Sequence, residues 1–98
     1  MIIEHALLVV APDRAAAFEA DLARARPLIA VSPGFLGIEV RRAAELAGTY
    51  LLLVRWASIA DHREGFRRSD RYQDWRALLH PYYDDLPVVS YFEDPILT

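Results

Sequence analysis

Three side chains in this sequence combine a proton carrier, a cation and a large aromatic ring within 21 residues. Trp56 closes an apolar run, His62 follows six residues later, and Arg76 comes after Tyr72 and Trp75. A histidine ionises near pH 6.5, so it can take a proton around neutrality. A guanidinium can hold a developing oxyanion. The two indoles offer faces on which a flat ring can stack, and Tyr72 adds a hydroxyl. Each residue also has an ordinary packing role. Trp56 suits a core, and His62 shares a stripe with Ile59 and Phe66. Arg76 suits a helix surface, paired with Asp74.

The other histidines offer less. His5 sits mid-strand beside Glu4, but neighbours on a strand point to opposite faces, so the two are not a dyad. Between Ile3 and Leu7, His5 reads as a buried polar group that needs a partner, and as a candidate pocket residue. His80 with Asp84 and Asp85 has no metal-ligand spacing, and no metal site is expected.

The elements that must position these groups can be read in order. Residues 2–10 form an aliphatic strand. Ala11-Pro12-Asp13 opens a helix whose stripe is Phe18, Leu22, Ala25 and Ile29, and Pro27 should end or kink it near Arg26. Ser32-Pro33-Gly34 is a turn. A second strand, 35–43, alternates Leu36, Ile38 and Val40 with Gly37, Glu39 and Arg41. After a turn at 45–48, Thr49–Trp56 completes a hairpin. Ser58 caps the next helix, with Asp61 as its capping-box partner. Ser69 caps a second piece after a break at Arg67–Arg68. Its stripe is Tyr72, Trp75, Arg76 and Leu79, and Pro81 stops it. Leu86–Glu93 is the fourth strand. The order β-α-β-β-α-β predicts an α+β, ferredoxin-like antiparallel sheet with helices on one face.

Composition limits the partners. The chain has 98 residues, so a single domain spanning 1–98 is expected. Its net charge is −3 with no basic stripe, which argues against nucleic acid. There is no cysteine, no signal-peptide pattern and no run long enough to span a membrane, which predicts a cytoplasmic protein. Hydrophobic residues make up 54%, a surplus for a domain this small. Both faces of the first and third strands are apolar: Ile3, Leu7 and Val9 oppose Ile2, Leu8 and Val10. Helices cover only one face, so a second copy should cover the other, giving a two-fold homodimer through the sheet.

The PGFLGIEV run at Pro33–Val40, the VRWAS run at Val54–Ser58 and Phe66 before Ser69-Asp70 resemble the antibiotic biosynthesis monooxygenase superfamily of dimeric α/β barrels. The likeness covers nearly the whole chain. In its cofactor-free polyketide monooxygenases, a Trp before the second helix corresponds to Trp56. A Tyr six residues later is replaced by His62, an Arg in the following segment corresponds to Arg76, and an Asn four residues before the Trp is replaced by Leu52. The haem-degrading branch fits worse. His5, Phe66 and Arg76 stand where it uses Asn, Trp and an axial His.

The resemblance implies a cofactor-independent monooxygenase that oxidises a quinol or polyphenolic aromatic with O2. Trp56, His62 and Arg76 would be catalytic, and His5, Leu52, Phe66, Tyr72 and Trp75 would bind an apolar aromatic molecule. The alternatives are a dimer of this fold that only binds a ligand, and a non-redox enzyme such as an isomerase.

Overall fold

A computed structural model describes residues 1–98. Strand β1 (Ile2–Val9) leads through a 3-10 turn at Pro12–Arg14 into helix α1 (Ala15–Ala30). Strands β2 (Phe35–Arg42) and β3 (Thr49–Trp56) form the hairpin. A short π-helical segment, Asp61–Phe66, precedes helix α2 (Asp70–Leu79), and strand β4 (Ser90–Phe92) ends the order. The sheet runs β2-β3-β1-β4, with every neighbouring pair antiparallel. This is the expected α+β, ferredoxin-like arrangement.

Both helices lie on one side of the sheet and pack on each other. Strand parity decides what they cover. Ala6 and Leu8 of β1, and Tyr50, Leu52, Val54 and Trp56 of β3, are buried beneath them. Phe18, Ala25 and Ile29 supply the α1 stripe, as their spacing requires. The other sheet face is uncovered in the single chain, with Leu7 54% and Val9 63% exposed. That face is apolar only in part. On β2 it carries Glu39 and Arg41, joined at 3.1 Å.

Four local readings need correction. Helix α1 runs through Pro27 to Ala30. Pro27 takes the donor from the carbonyl of Ala23, but both residues are exposed, so water can satisfy that oxygen. Continuing the helix buries Ile29, worth about 1.5–3 kcal/mol, which offsets much of the proline cost. In β2, the register slips between Phe35 and Gly37. Leu36 is the extra residue of the bulge and is 53% exposed, so Phe35, rather than Leu36, joins Ile38 and Val40 against the core. Strand β4 spans three residues, not eight. Pro87 lacks a ladder donor, and the Leu86–Val89 stretch instead crosses the open side of the helix–sheet layer. The segment after Ser58 winds more widely than an α-helix: the Arg67 N–H donates to the His62 carbonyl five residues back, at 3.0 Å.

Candidate functional site

Between the helix-covered sheet face and α2 lies a cavity of about 240 Å³. Its walls are mostly apolar. Leu52 comes from β3, Phe66 from the π-helical segment, and Tyr72 and Trp75 from α2. Leu86, Pro87 and Val89 close one side. The ionisable groups on its lining are Glu4, His62, Arg67, Tyr72, His80 and Tyr83.

Local sequence explains how the helical side is held. Ser58 Oγ accepts from the Asp61 N–H at 3.2 Å and donates to Asp61 Oδ2 at 2.9 Å, a reciprocal cap. Ser69 caps α2, accepting from the Tyr72 N–H at 3.3 Å and donating to the Phe66 carbonyl at 2.6 Å. Between these two caps, the wide turn carries His62 and Phe66 inward. Their rings stack at 6.4 Å, and Phe66 meets Tyr72 and Trp75 edge-on at 5.5 and 5.7 Å.

A buried polar cluster closes the sheet end of the cavity. The Trp56 Nε1–H donates to Glu4 Oε1 at 3.0 Å, and His62 Nε2 lies 3.3 Å from the same oxygen. On the other side of the imidazole, His62 Nδ1 is 2.6 Å from the Tyr91 hydroxyl. Tyr91 arrives there because β4 pairs it with Glu4, and cross-strand partners share a face. Glu4 is 4% exposed and His62 3%. Burial raises the Glu4 pKa above the ordinary 4.5, against the opposing pull of Trp56 and Arg67. Burial also lowers His62 to about 4, helped by the charges of Arg67 and Arg63. His62 is therefore neutral at pH 7. Nδ1 and the Tyr91 hydroxyl share one hydrogen bond, whose direction follows the tautomer, and Nε2 faces the Glu4 carboxyl in a 3.3 Å contact.

The expected site residues separate into groups. His62, Leu52, Phe66, Tyr72 and Trp75 share the cavity lining. Trp56 is fully buried behind it, against Phe35, His62 and Phe66, and touches the cluster through its indole N–H. Arg76 is exposed and away from the lining; the cation on the lining is Arg67, at the end of the π-helical segment. His5 lies across the sheet, edge-on to Phe92 at 5.6 Å, because β1 alternation sends it to the uncovered face. Sequence reasoning missed Glu4 and Tyr91. The signal for Glu4 was present, since an acid on the same row as Ala6 and Leu8 must be buried and needs partners.

Comparisons with known proteins agree with this fold. The family model described as antibiotic biosynthesis monooxygenase matches residues 1–78. The uncharacterized protein YczJ of Bacillus subtilis is 38% identical over 94 residues, covering 96% of this chain and 99% of its own. A crystal structure from Bordetella bronchiseptica, assigned to the antibiotic biosynthesis monooxygenases, superposes with a TM-score of 0.91 at 35% identity, covering 97% of each chain. SnoaB from Streptomyces nogalater, a cofactor-independent oxygenase, shares the fold at a TM-score of 0.79 and 18% identity, covering 98% of this chain and 93% of its own.

Proposed function

The chain belongs to the antibiotic biosynthesis monooxygenase family, and from that premise we propose that it is a cofactor-independent monooxygenase acting on a small quinol or polyphenolic aromatic. The observation that carries this reading is the apolar cavity with a single buried proton-handling pair, Glu4 and His62, on its lining. SnoaB, which shares the fold, is an oxygenase that needs no cofactor. The volume of about 240 Å³ is below the ~300–1,000 Å³ of drug-sized ligand sites, which favours a one- or two-ring substrate over a polycyclic one.

In this reading the walls of Phe66, Tyr72 and Trp75 hold the ring, and the Glu4–His62 pair accepts the hydroxyl proton. The anion then passes an electron to O2. One oxygen atom enters at a ring C–H carbon, the other leaves as water, and the substrate supplies all four electrons, so a quinol becomes a hydroxyquinone. Arg67 takes the anion-holding role first given to Arg76. Trp56 orients the pair. A homodimer through the uncovered sheet face and a cytoplasmic location belong to the same proposal.

Oxygen uptake with a panel of benzo- and naphthoquinols tests the reading. The wild type should exceed the uncatalysed rate for at least one quinol, and His62→Ala should lower that excess about 100-fold. If no quinol is consumed above background, the enzyme reading fails. Leu52 favours a second reading, because β3 then offers no polar group to the ring. In that case the cavity only binds its ligand, and binding without uptake would be the result.

A further inference from the structure

His62 has one ring nitrogen taken by Tyr91, and the other faces Glu4. Nε2 lies against Glu4 Oε1 at 3.3 Å, and Nδ1 against the Tyr91 hydroxyl at 2.6 Å. Glu4 is different. Its one hydrogen bond, from Trp56 Nε1, and its close contact with His62 Nε2 both fall on one oxygen, Oε1. Oε2 has no protein partner. Every side-chain nitrogen or oxygen sealed from solvent in this fold does have one. Oε2 is therefore open, and the space that Glu4 lines is the cavity.

We propose that Glu4, through Oε2, is the group that takes the hydroxyl proton of the bound ring, and that His62 and Tyr91 are positioning residues that hold Oε1 in place behind it. The inference rests on the cavity binding a phenolic ring, as proposed above. The step balances simply. The ring O–H bond breaks, its electron pair stays on the ring oxygen, and a new O–H bond forms at Oε2. The negative charge moves from carboxylate to phenolate, facing Arg67 on the cavity lining. Nothing else need rearrange, because Oε1 can still accept from Trp56 in the acid, though more weakly than in the carboxylate. The raised pKa of Glu4 suits this task, since it brings a carboxylate closer to a phenol in proton affinity. His62, lowered to about 4, is the weaker base of the two near neutrality.

The test uses 4-nitrophenol, whose anion absorbs in the visible, with wild type and Glu4→Gln. Glutamine keeps the shape and an oxygen for Trp56. At neutral pH, binding to wild type should produce the anion band together with a carboxylic-acid infrared band, and no proton should reach an unbuffered solution. In Glu4→Gln the infrared band should vanish, and any anion formed should release its proton to solution. Oxygen uptake should fall about 100-fold in that variant and recover towards alkaline pH, where the substrate ionises without help. Tyr91→Phe should keep the infrared band but shift the acid limb of the pH profile.

A proton released per anion bound by wild type overturns the proposal. So does an absent anion, or failure of 4-nitrophenol to bind. Uptake that survives Glu4→Gln with an unchanged pH profile overturns the role of Glu4 and leaves the oxygenase reading standing. Proton transfer to Glu4 without uptake of oxygen on any quinol overturns the oxygenase reading alone.

Discussion

Glu4 and His62 face each other at 3.3 Å in one buried cluster, yet burial shifts their stability contributions in opposite directions. A neutral histidine whose folded pKa is lowered stabilises the fold above its unfolded value of 6.5 and loses that contribution as pH falls towards about 4. The shift is worth about 3 kcal/mol at 1.36 kcal/mol per unit, and the side chain is only 4% exposed. A carboxylate whose folded pKa is raised does the reverse. It is least costly below 4.5 and becomes destabilising as pH rises through its folded value. Trp56 and Tyr91 are the neutral neighbours of the pair. Arg67 and Arg63 hold His62 down, and Arg67 also favours ionised Glu4. In wild type the two terms partly cancel between pH 7 and 4. Relative to wild type, Glu4→Gln should therefore lose stability on acidification across that window, and His62→Gln should gain it. Urea unfolding of all three at several pH values checks this, because other carboxylates cancel in the differences. If both variants parallel wild type, the pair is not buried as described.

At the scale of elements, the turn after α1 and the π-helical segment constrain each other through two glycines of opposite character. Gly34 has φ +82°, and an added Cβ would lie 2.2 Å from the Asp61 carboxyl. Gly34→Ala must strain the left-handed backbone, at about 1–2 kcal/mol. It must also displace Asp61 from its bond to Ser58, at about 1 kcal/mol more. The melting temperature should fall by roughly 10 °C or more. Gly65 lies inside the segment, where an added Cβ meets nothing closer than the Ala60 carbonyl at 3.9 Å. Gly65→Ala should therefore stabilise by about 0.5–1 kcal/mol. Thermal unfolding of the two variants reads both signs. These caps and stripes were legible in the sequence, since Ser58 with Asp61, Ser69, and the Phe18–Ile29 spacing are local patterns. The wide turn was not, because Ile59, His62 and Phe66 have a spacing that an α-helix also satisfies. Nor was the continuation of α1 through Pro27, which depends on the exposure of Ala23. Arg67 rather than Arg76 reaches the cavity lining for the same kind of reason: where a helix is cut by the cavity is a tertiary fact. Glu4 was legible from strand parity alone, but its partners were not, because they come from β3, β4 and the segment between β3 and α2.

For the whole molecule, the uncovered sheet face and the cavity share a wall. Leu86, Pro87 and Val89 line the cavity, while Leu86, Pro87 and Val88 border a groove with Leu7 and Val9 on the opposite side. Val88 is 80% exposed and Phe92 54%, so a second copy on this face would cover them together with Leu7 and Val9. The β4 pairing at Ser90–Phe92 and the packing of Val89 on the core anchor the stretch at one end. Docking of a second sheet should therefore fix the cavity wall as well as hide apolar surface. Sizing at micromolar concentration should give a dimer for wild type and a monomer for Leu7→Arg, which places a charge in the middle of the face. Leu7 does not touch the cavity, yet the monomeric variant should bind 4-nitrophenol several-fold more weakly. Linkage makes the effect reciprocal: if dimerisation tightens ligand binding by some factor, saturating ligand must tighten the dimer correspondingly. Dilution of wild type with and without 4-nitrophenol measures that second arm. A monomeric Leu7→Arg with unchanged affinity would show that the Leu86–Val89 wall holds its position without the partner, and that site and interface are independent.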